Sequence, residues 1–344
     1  MDNNSITFVV TNYNKSKYVE KCINSILNQT DVNDCIIIID DCSTDNSKEI
    51  IEKYNKYQNI NFIENSINYG VSYSRNLGIN NANTKFITFI DSDDTISDGY
   101  IKDIKNNFIN AVQCVCYGFN FVDSISENQN EQCIYLDDAL SNIDKIIKLE
   151  DSGLFASACN KIYLLDYIRK NKICFNVNSK IMEDYEFNLK YFENIKKIKV
   201  SNKCFYNYYY YGDISASSKY KADLLNRYYE LRDLRKQFYQ KYDLNDFATK
   251  YNIDFLKICI NNLYKDDSKL NSISRKKMLK EIILLDDYKI WKHRKCNGIL
   301  DKILKVAFFT NNVEIIDFNM KTLHYIKNNS AIAHNYFKKK NKKR

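Results

Sequence analysis

The chain has 344 residues, of which 44% are hydrophobic and 27% are charged. This balance is that of a globular protein, and it excludes a mainly disordered, collagen-like or disulfide-scaffold chain. The net charge of +8 is unevenly divided: residues 1–220 hold 23 Lys and Arg against 29 Asp and Glu, whereas residues 221–344 hold 28 against 14. The second part, with a net charge of +14, is expected to face an anionic membrane surface or nucleic acid.

Most of the eleven cysteines lie inside apolar runs, as Cys114 and Cys116 do. The sequence contains no Cys-x-x-Cys pair, so neither a zinc ribbon nor a thioredoxin-like motif is expected. We expect reduced, structural cysteines in a cytoplasmic protein. The sequence shows neither a secretory signal nor an apolar stretch of about 20 residues, and any membrane contact is expected to be peripheral.

The first hundred residues alternate between apolar runs and segments with helical periodicity. The apolar runs predict strands, because parallel strands buried on both faces are continuously apolar. The predicted strands are 6–10, 35–39, 60–63 and 85–90. The predicted helices are 18–27, 72–81 and, between them, one that begins after an N-cap at Thr44 or Asp45. This alternation predicts βαβ units and a mostly parallel sheet flanked by helices.

The pattern changes further along the chain. Residues 112–121 predict one more strand, of mixed exposure. Residues 223–242 repeat apolar side chains every three or four positions, which indicates a long helix. We therefore expect a first domain over residues 1–220 and a basic, mostly α-helical region over residues 221–344.

Acidic and polar residues follow three of the predicted strands. They are Thr11 to Asn14 after the first strand, Asp40 and Asp41 after the second, and Asp91 to Asp94 after the fourth. In an open parallel sheet, ligands bind beyond the carboxyl ends of the strands. Carboxylates at such an edge suit Mg²⁺ or Mn²⁺ together with substrate phosphates. The alternative is an acidic turn that caps the next helix.

Five segments resemble, in order, the motifs of family 2 glycosyltransferases of the GT-A fold. They are Phe8 to Thr30, Ile38 to Ser47, Gly70 to Gly78, Phe89 to Asp94 and Met182 to Phe187. One departure is Cys42, where the family commonly has glycine, asparagine or another small residue. The resemblance implies a Rossmann-like catalytic domain with a mostly parallel central sheet, α/β in class, followed by a helical region that resembles no family we can name.

The resemblance also implies an activity. It is that of an inverting, metal-dependent hexosyltransferase that moves a sugar from a nucleotide-diphospho-sugar, expected to be a UDP-sugar. The acceptor would be a glycan or lipid-linked glycan in surface-polysaccharide or capsule synthesis, at the cytoplasmic face of the membrane. Thr11 and Asp41 match residues that hold the base, and Tyr13 could stack on it. Arg75 matches an arginine near the nucleotide, and we add Asp91 and Ser92 to this nucleotide-sugar set.

The same resemblance assigns the metal and the base. Asp93 is the first choice as the ligand of Mn²⁺ or Mg²⁺, with Asp91 and Asp94 as partners to the ribose or the metal. Inversion needs a carboxylate to deprotonate the acceptor hydroxyl, and by its place in the motif that base is Asp184, with Glu183 orienting the sugar. The alternative for Glu183 and Asp184 is a helix N-terminus that favours acids in its first turn.

Other readings of the sequence are weaker. A nucleotidyltransferase would need a glycine-rich basic loop after the first strand, and residues 11–17 contain no glycine. A nucleic-acid-binding protein would use the basic second part, but acids are interspersed there and no recognition motif is present, so we expect no nucleic acid partner.

The aromatic run 206–211, followed by Gly212 and residues 215–218, fits either a sugar-binding platform or a packed strand.

Overall fold

The computed structural model describes residues 4–107, 112–126, 128–211, 219–293 and 305–329. The chain divides into two compact units, residues 1–214 and 215–344. This division does not test the roles assigned above to residues 1–220 and 221–344, which stay predictions. Gly212, residues 215–218 and the basic tail 338–344 lie outside the described residues.

The first unit is built on a sheet with nine strands in its described residues. These are β1 (Ile6–Asn12), β2 (Cys35–Asp40), β3 (Ile60–Glu64), β4 (Phe86–Asp91), β5 (Thr95–Ile96), β6 (Cys114–Asp123), β7 (Gln129–Gln132), β8 (Lys161–Leu164) and β9 (Ile198–Tyr210). Their spatial order is β3-β2-β1-β4-β8-β6-β9-β5, and β7 pairs with β6.

The first four strands confirm the predicted βαβ pattern. They run parallel in the order β3-β2-β1-β4, and the isoleucines of β2 are buried because helices cover the sheet. The register places Asn12 beside Asp40 and Thr11 beside Asp91. Beyond β4 the sheet is mixed, since β8 is antiparallel to both β4 and β6 whereas β9 is parallel to β6.

Seven helices of the described residues belong to the first unit. They are α1 (Val19–Leu27), α2 (Ser47–Glu52), α3 (Val71–Asn81), α4 (Tyr100–Asn107), α5 (Asn142–Ser152), α6 (Leu165–Lys170) and α7 (Glu183–Phe192). A close approach fixes α3 on the sheet: a Cβ atom on Gly78 would lie 2.4 Å from a methyl carbon of Val9. Glycine is required here because no larger residue leaves α3 in contact with β1.

The start of α2 differs from the prediction. The helix begins at Ser47, and its N-cap is Asn46, which makes no side-chain capping bond. Asp45 instead accepts hydrogen bonds from the backbone N–H of Ser47 at 3.0 Å and from that of Ser16 at 3.0 Å. Although partial burial opposes them, these bonds and those from the two serine hydroxyls lower the pKa of Asp45 to about 2.

The second unit is helical in its described residues, as predicted. Its helices are α8 (Leu224–Gln240), α9 (Asn245–Asn262), α10 (Ser272–Leu284), α11 (Asp286–His293) and α12 (Val313–Asn329). The predicted stripe along α8 is buried at Tyr228, Leu231 and Phe238. No described helix of either unit combines the length and the apolar character needed to cross a bilayer.

Candidate active site

The carboxyl end of β2 supplies two buried carboxylates that organise the neighbouring loops. Asp40 accepts from Asn12 Nδ2 at 2.6 Å and from the Ser43 N–H at 2.8 Å. Cys42, which lies between Asp41 and Ser43 in the chain, has a φ of +62°, in the left-handed region that glycine adopts most easily. This conformation explains why a small residue is common at that position of the motif.

Asp41 is 4% exposed and binds the loop that leads into α3. Its Oδ1 accepts from Asn65 Nδ2 at 2.8 Å and from the Tyr69 N–H at 2.9 Å, and its Oδ2 accepts from the Gly70 N–H at 2.7 Å. A carboxylate has about four lone-pair positions, so one remains on Oδ2. The predicted contact of Asp41 with a nucleotide base stays a prediction.

The ends of β1 and β4 bring together three more residues of the predicted nucleotide-sugar set. Thr11 Oγ1 lies 3.4 Å from Asp91 Oδ1, and the Ser92 N–H donates to the Thr11 carbonyl at 3.2 Å. Ser92 is 2% exposed, and its place in the nucleotide-sugar set stays a prediction. Tyr13, by contrast, is 45% exposed, and its ring is available for stacking.

Arg75 is the centre of the site. It is 3% exposed on α3, and its guanidinium pairs with Asp184 and, at 3.0 Å, with Asp91, while Glu183 Oε1 lies 3.8 Å away. Residues 75 and 184 are 109 positions apart in sequence. The structure therefore joins the third, fourth and fifth sequence motifs through one side chain, which holds three carboxylates with a single positive charge.

The electrostatics of this cluster follow from burial and from the excess of acids. Burial raises the pKa of Asp184, although the charge of Arg75 opposes the rise. Burial and the neighbouring charge of Asp184 raise the pKa of Glu183 as well. Burial alone would lower the pKa of Arg75, but the charges of Asp184 and Asp91 raise it. The arginine stays charged, and the two acids are stronger bases than usual.

The predicted metal residues Asp93 and Asp94 have different surroundings. The side chain of Asp93 is 25% exposed and pairs with Lys15. Asp94 is 2% exposed, and its carboxylate accepts from Tyr206 Oη at 2.7 Å and from the Tyr209 N–H at 2.9 Å. Burial and the charges of Asp91 and Asp93 raise the pKa of Asp94 well above its usual value. Asp94 thus connects the acidic turn, residues 91–94, to β9 through these hydrogen bonds.

A divalent cation implied by the fold family fits this donor set through Asp91 and Asp93. Both carboxylates are partly exposed, at 38% and 25% of their side-chain surfaces. Among the described residues, no three Asp, Glu, Cys or His side chains are grouped so that they could bind a metal ion by themselves. Two carboxylates suit Mg²⁺ or Mn²⁺ when phosphates and water complete the coordination. Asp91 is more exposed than Asp94, and the assignment of the metal ligands stays a prediction.

Sequence reasoning did not single out several residues of the site. Lys15 lies within the first motif, and its position next to β1 was the available signal. Tyr206 was seen only as part of an aromatic run; it is fully buried, and its hydroxyl accepts from the Asp91 N–H at 3.2 Å. Nothing in the sequence marked Cys159, whose Sγ lies 3.7 Å from Asp91 Oδ2 and from an Arg75 nitrogen.

The aromatic run contains both packed and partly exposed rings, and its role in sugar binding stays a prediction. Tyr206 is packed inside β9, whereas the ring of Tyr211 contacts that of Tyr18 with centroids 4.2 Å apart. Tyr211 also stacks on Tyr209 with centroids 6.0 Å apart, and its hydroxyl donates to the Asp93 carbonyl at 3.0 Å. An aromatic surface therefore lies next to the acidic turn.

A central sheet that is parallel over β1 to β4, mixed beyond them and flanked by helices is the arrangement of the GT-A class of folds. A solved structure supports this class: TarS residues 1–349 of Staphylococcus aureus, in complex with UDP-GlcNAc, aligns with a TM-score of 0.66 and 21% identity. The alignment covers 93% of this chain and 92% of that one. Residues 7–172 match the model of Glycosyl transferase family 2, and the chain thus carries a domain of this family, as its motifs predicted.

Two relatives of this chain are named for teichoic acid or poly(ribitol-phosphate). The chain is 30% identical over 215 residues to a teichoic acid poly(glycerol phosphate) polymerase of Staphylococcus epidermidis. That alignment covers 59% of this chain and 28% of that protein. It is 27% identical over 208 residues to the poly(ribitol-phosphate) beta-N-acetylglucosaminyltransferase TarS of Staphylococcus aureus, which covers 58% and 34%. The chain thus spans about a third of the length of these relatives.

Proposed function

We propose that the chain transfers a sugar from a UDP-sugar to a hydroxyl group of a cell-surface glycan, either a teichoic-acid-like polymer or a lipid-linked glycan. The observation that carries the proposal is the cluster of Asp91, Glu183 and Asp184 around Arg75 in a family 2 domain. The names of the relatives support the acceptor class. The UDP-GlcNAc complex of the structural neighbour supports the donor class.

The donor nucleotide is assigned to the ends of β1 and β2. The lone-pair position left on Asp41 can accept the N3–H of uracil, and the exposed ring of Tyr13 can cover the base. Arg75 is too deeply buried to be a simple phosphate ligand, and its two terminal nitrogens already pair with Asp91 and Asp184. Its role in the proposal is to hold Asp91 and Asp184 at a fixed separation.

The leaving diphosphate needs a positive charge. Asp91 and Asp93 would hold Mn²⁺ or Mg²⁺, and the bound ion would act as a Lewis acid towards the departing phosphate oxygens. Lys15, already paired with Asp93, brings a second positive charge to the same turn. The surplus of carboxylates over cations around Arg75 attracts a divalent cation to this edge of the sheet.

Asp184 is the proposed base. Its Oδ1 pairs with Arg75 and its Oδ2 accepts from the Ala158 N–H at 2.9 Å, so the carboxylate is fixed while each oxygen retains a lone pair. A carboxylate whose pKa is raised by burial removes a proton from an acceptor hydroxyl more readily than an ordinary one. Attack from the face opposite the diphosphate would invert the anomeric configuration.

The test is a screen of UDP-sugars with poly(glycerol phosphate), poly(ribitol phosphate) and lipid-linked glycan acceptors, with Mn²⁺ or Mg²⁺ and with EDTA. We expect metal-dependent release of UDP with one donor, and NMR of the product should show the anomeric configuration opposite to that of the donor. UDP with Mn²⁺ should also raise the melting temperature. The proposal is wrong if no donor turns over and UDP with Mn²⁺ leaves the melting temperature unchanged.

The basic region suggests a further partner. Residues 221–344 carry a net charge of +14, and each Lys or Arg near an anionic membrane is worth about 1 kcal/mol at low salt. We propose peripheral binding to the cytoplasmic leaflet, where a lipid-linked acceptor would lie. The chain should float with anionic liposomes at low salt and not at high salt, and deletion of 337–344 should weaken flotation. Absence of flotation at every ionic strength would contradict this.

A further inference from the structure

Lys161, in β8, carries a completely buried ammonium group that the proposed chemistry does not use. Its Nζ lies 2.8 Å from the Leu154 carbonyl, 3.2 Å from that of Phe155, 2.6 Å from that of Ser157 and 2.8 Å from Asn160 Oδ1. A lysine is rarely buried to this degree, because a desolvated charge is costly unless polar groups surround it. All four of these acceptors belong to the loop 154–160.

The opposite side of that loop contacts the site. The Ala158 N–H donates to Asp184 Oδ2 at 2.9 Å. The sulfur of the next residue, Cys159, lies 3.7 Å from both an Arg75 nitrogen and an Asp91 oxygen. The loop 154–160 therefore contacts both Lys161 and the proposed base, Asp184.

Neutral side chains also support the loop. Asn188 Nδ2 donates to the carbonyls of Phe155 and Ser157 at 2.7 and 3.0 Å, and Asn160 Nδ2 donates to that of Leu154 at 3.1 Å. These amides could satisfy a loop that needed only hydrogen bonds. A buried charge added to them is costly for a purely structural contact, which points to a role for the charge itself.

We infer that Lys161 is a positioning residue for the proposed base: its ammonium group fixes the loop 154–160, so that the Ala158 N–H holds Asp184, and it places a positive charge behind that carboxylate. The inference rests on the role proposed for Asp184. Lys161 touches no substrate in this scheme and acts through the loop.

The charges that face Asp184 give the inference a measurable sign. Arg75 on α3 and Lys161 on β8 are positive, whereas Glu183 beside it on α7 and Asp91 on β4 are negative. The Cys159 thiol of the loop also faces Asp184. Burial lowers the pKa of Lys161, and the charge of Asp184 opposes that lowering. The charge of Lys161 lowers the pKa of Asp184, against the effect of burial. Removing that charge should raise this pKa, and the acidic limb of the rate profile should then move to higher pH.

The variant Lys161→Met keeps the length of the side chain and removes its charge. Its matched control is Lys145→Met on α5, where the lysine is 5% exposed and its Nζ donates to the Asp138 carbonyl at 3.0 Å. Two readouts are needed: the pH dependence of kcat with the KM for the donor, and hydrogen exchange of the peptide that spans 154–160. If Lys161→Met does not fold, Lys161→Gln, which retains an N–H donor, takes its place.

We expect Lys161→Met to lower kcat about 10–100-fold, as loss of groups that orient reacting residues does. Its acidic limb should move to higher pH than in Lys145→Met. The KM for the donor should be unchanged, and the 154–160 peptide should exchange faster than in Lys145→Met. Equal exchange in both variants, or an unmoved pH limb, would overturn the inference. If the wild type shows no transfer at all, the proposed function fails, whereas faster exchange in Lys161→Met alone would still support the positioning of the loop.

Discussion

Two buried charge clusters, one in each unit, have opposite compositions. Around Arg75 in the first unit, one positive charge serves Asp91, Glu183 and Asp184. Around Asp317 in the second unit, one carboxylate accepts from Arg275 Nε at 2.8 Å, Lys321 Nζ at 2.9 Å and Tyr264 Oη at 3.0 Å. The first cluster has an excess of acids, and the second has an excess of donors.

The pKa shifts follow this difference. Burial raises the pKa of Asp184, and Arg75 does not reverse the rise. Burial would also raise the pKa of Asp317, but the hydrogen bonds from Arg275, Lys321 and Tyr264 lower it. A buried acid that is fully paired stabilises the fold, whereas buried acids that outnumber their partners are available for a cation or a proton. The following substitutions test whether the first cluster serves function and the second serves stability.

The largest effect is expected for Asp93→Ala. Loss of a carboxylate that would hold the cation should lower transfer about 10⁴-fold, because Lewis-acid stabilisation of a leaving group is worth several kcal/mol. The fold should survive, since Asp93 fills no core volume. Steady-state rates and thermal melting check this, with Asp98→Ala, an exposed acid in the turn after β5, as the control. Turnover within a few-fold of wild type would remove Asp93 from the metal site.

Asp184→Asn preserves size and loses basicity. Transfer should fall by about 10²–10⁴, the usual worth of a general base. The affinity for UDP, measured by calorimetry, should barely change, because the base faces the acceptor. Glu183→Gln is the matched control and should cost less. A parallel loss of UDP binding in Asp184→Asn would move this residue to the nucleotide site.

Asp317→Asn should act on stability. Breaking this buried pairing leaves Arg275 without its carboxylate, at a cost of about 3 kcal/mol in the free energy of unfolding. Since the pKa of Asp317 is lowered by folding, its contribution is complete above the unfolded pKa of about 3.9 and disappears as the pH falls through the folded value. Urea denaturation at neutral and acidic pH checks both points. Asp286→Asn, on an exposed ion pair, is the control and should change nothing.

Asp94→Asn should have the smallest effect. Its raised pKa and its bonds to Tyr206 and Tyr209 indicate a structural contact that an amide can largely replace. Transfer should stay within about tenfold of wild type, since one altered hydrogen bond is worth about 1 kcal/mol. Kinetic titration with Mn²⁺ provides the check. A large rise in the Mn²⁺ concentration needed for activity would instead make Asp94 a direct ligand.

Much of the first unit was predictable from the sequence alone. The apolar runs gave β1 to β4 and their parallel pairing, because strands covered by helices on both faces are continuously apolar. The place of Asp41 and Asp91 after their strands followed from the same pattern. The motifs identified the family, and the periodicity after residue 222 indicated the helices of the second unit.

What the tertiary structure decided was which of these acids are buried and which groups pair with them. Asp93 and Asp94 are neighbours in the sequence, yet one faces solvent beside Lys15 and the other is buried against β9. No local pattern joins Arg75 to Asp184, or the Ala158 N–H to Asp184. Periodicity reports which face of an element is buried, but burial of a charge and the partners that offset it depend on contacts between elements far apart in the chain, which form only when the chain folds.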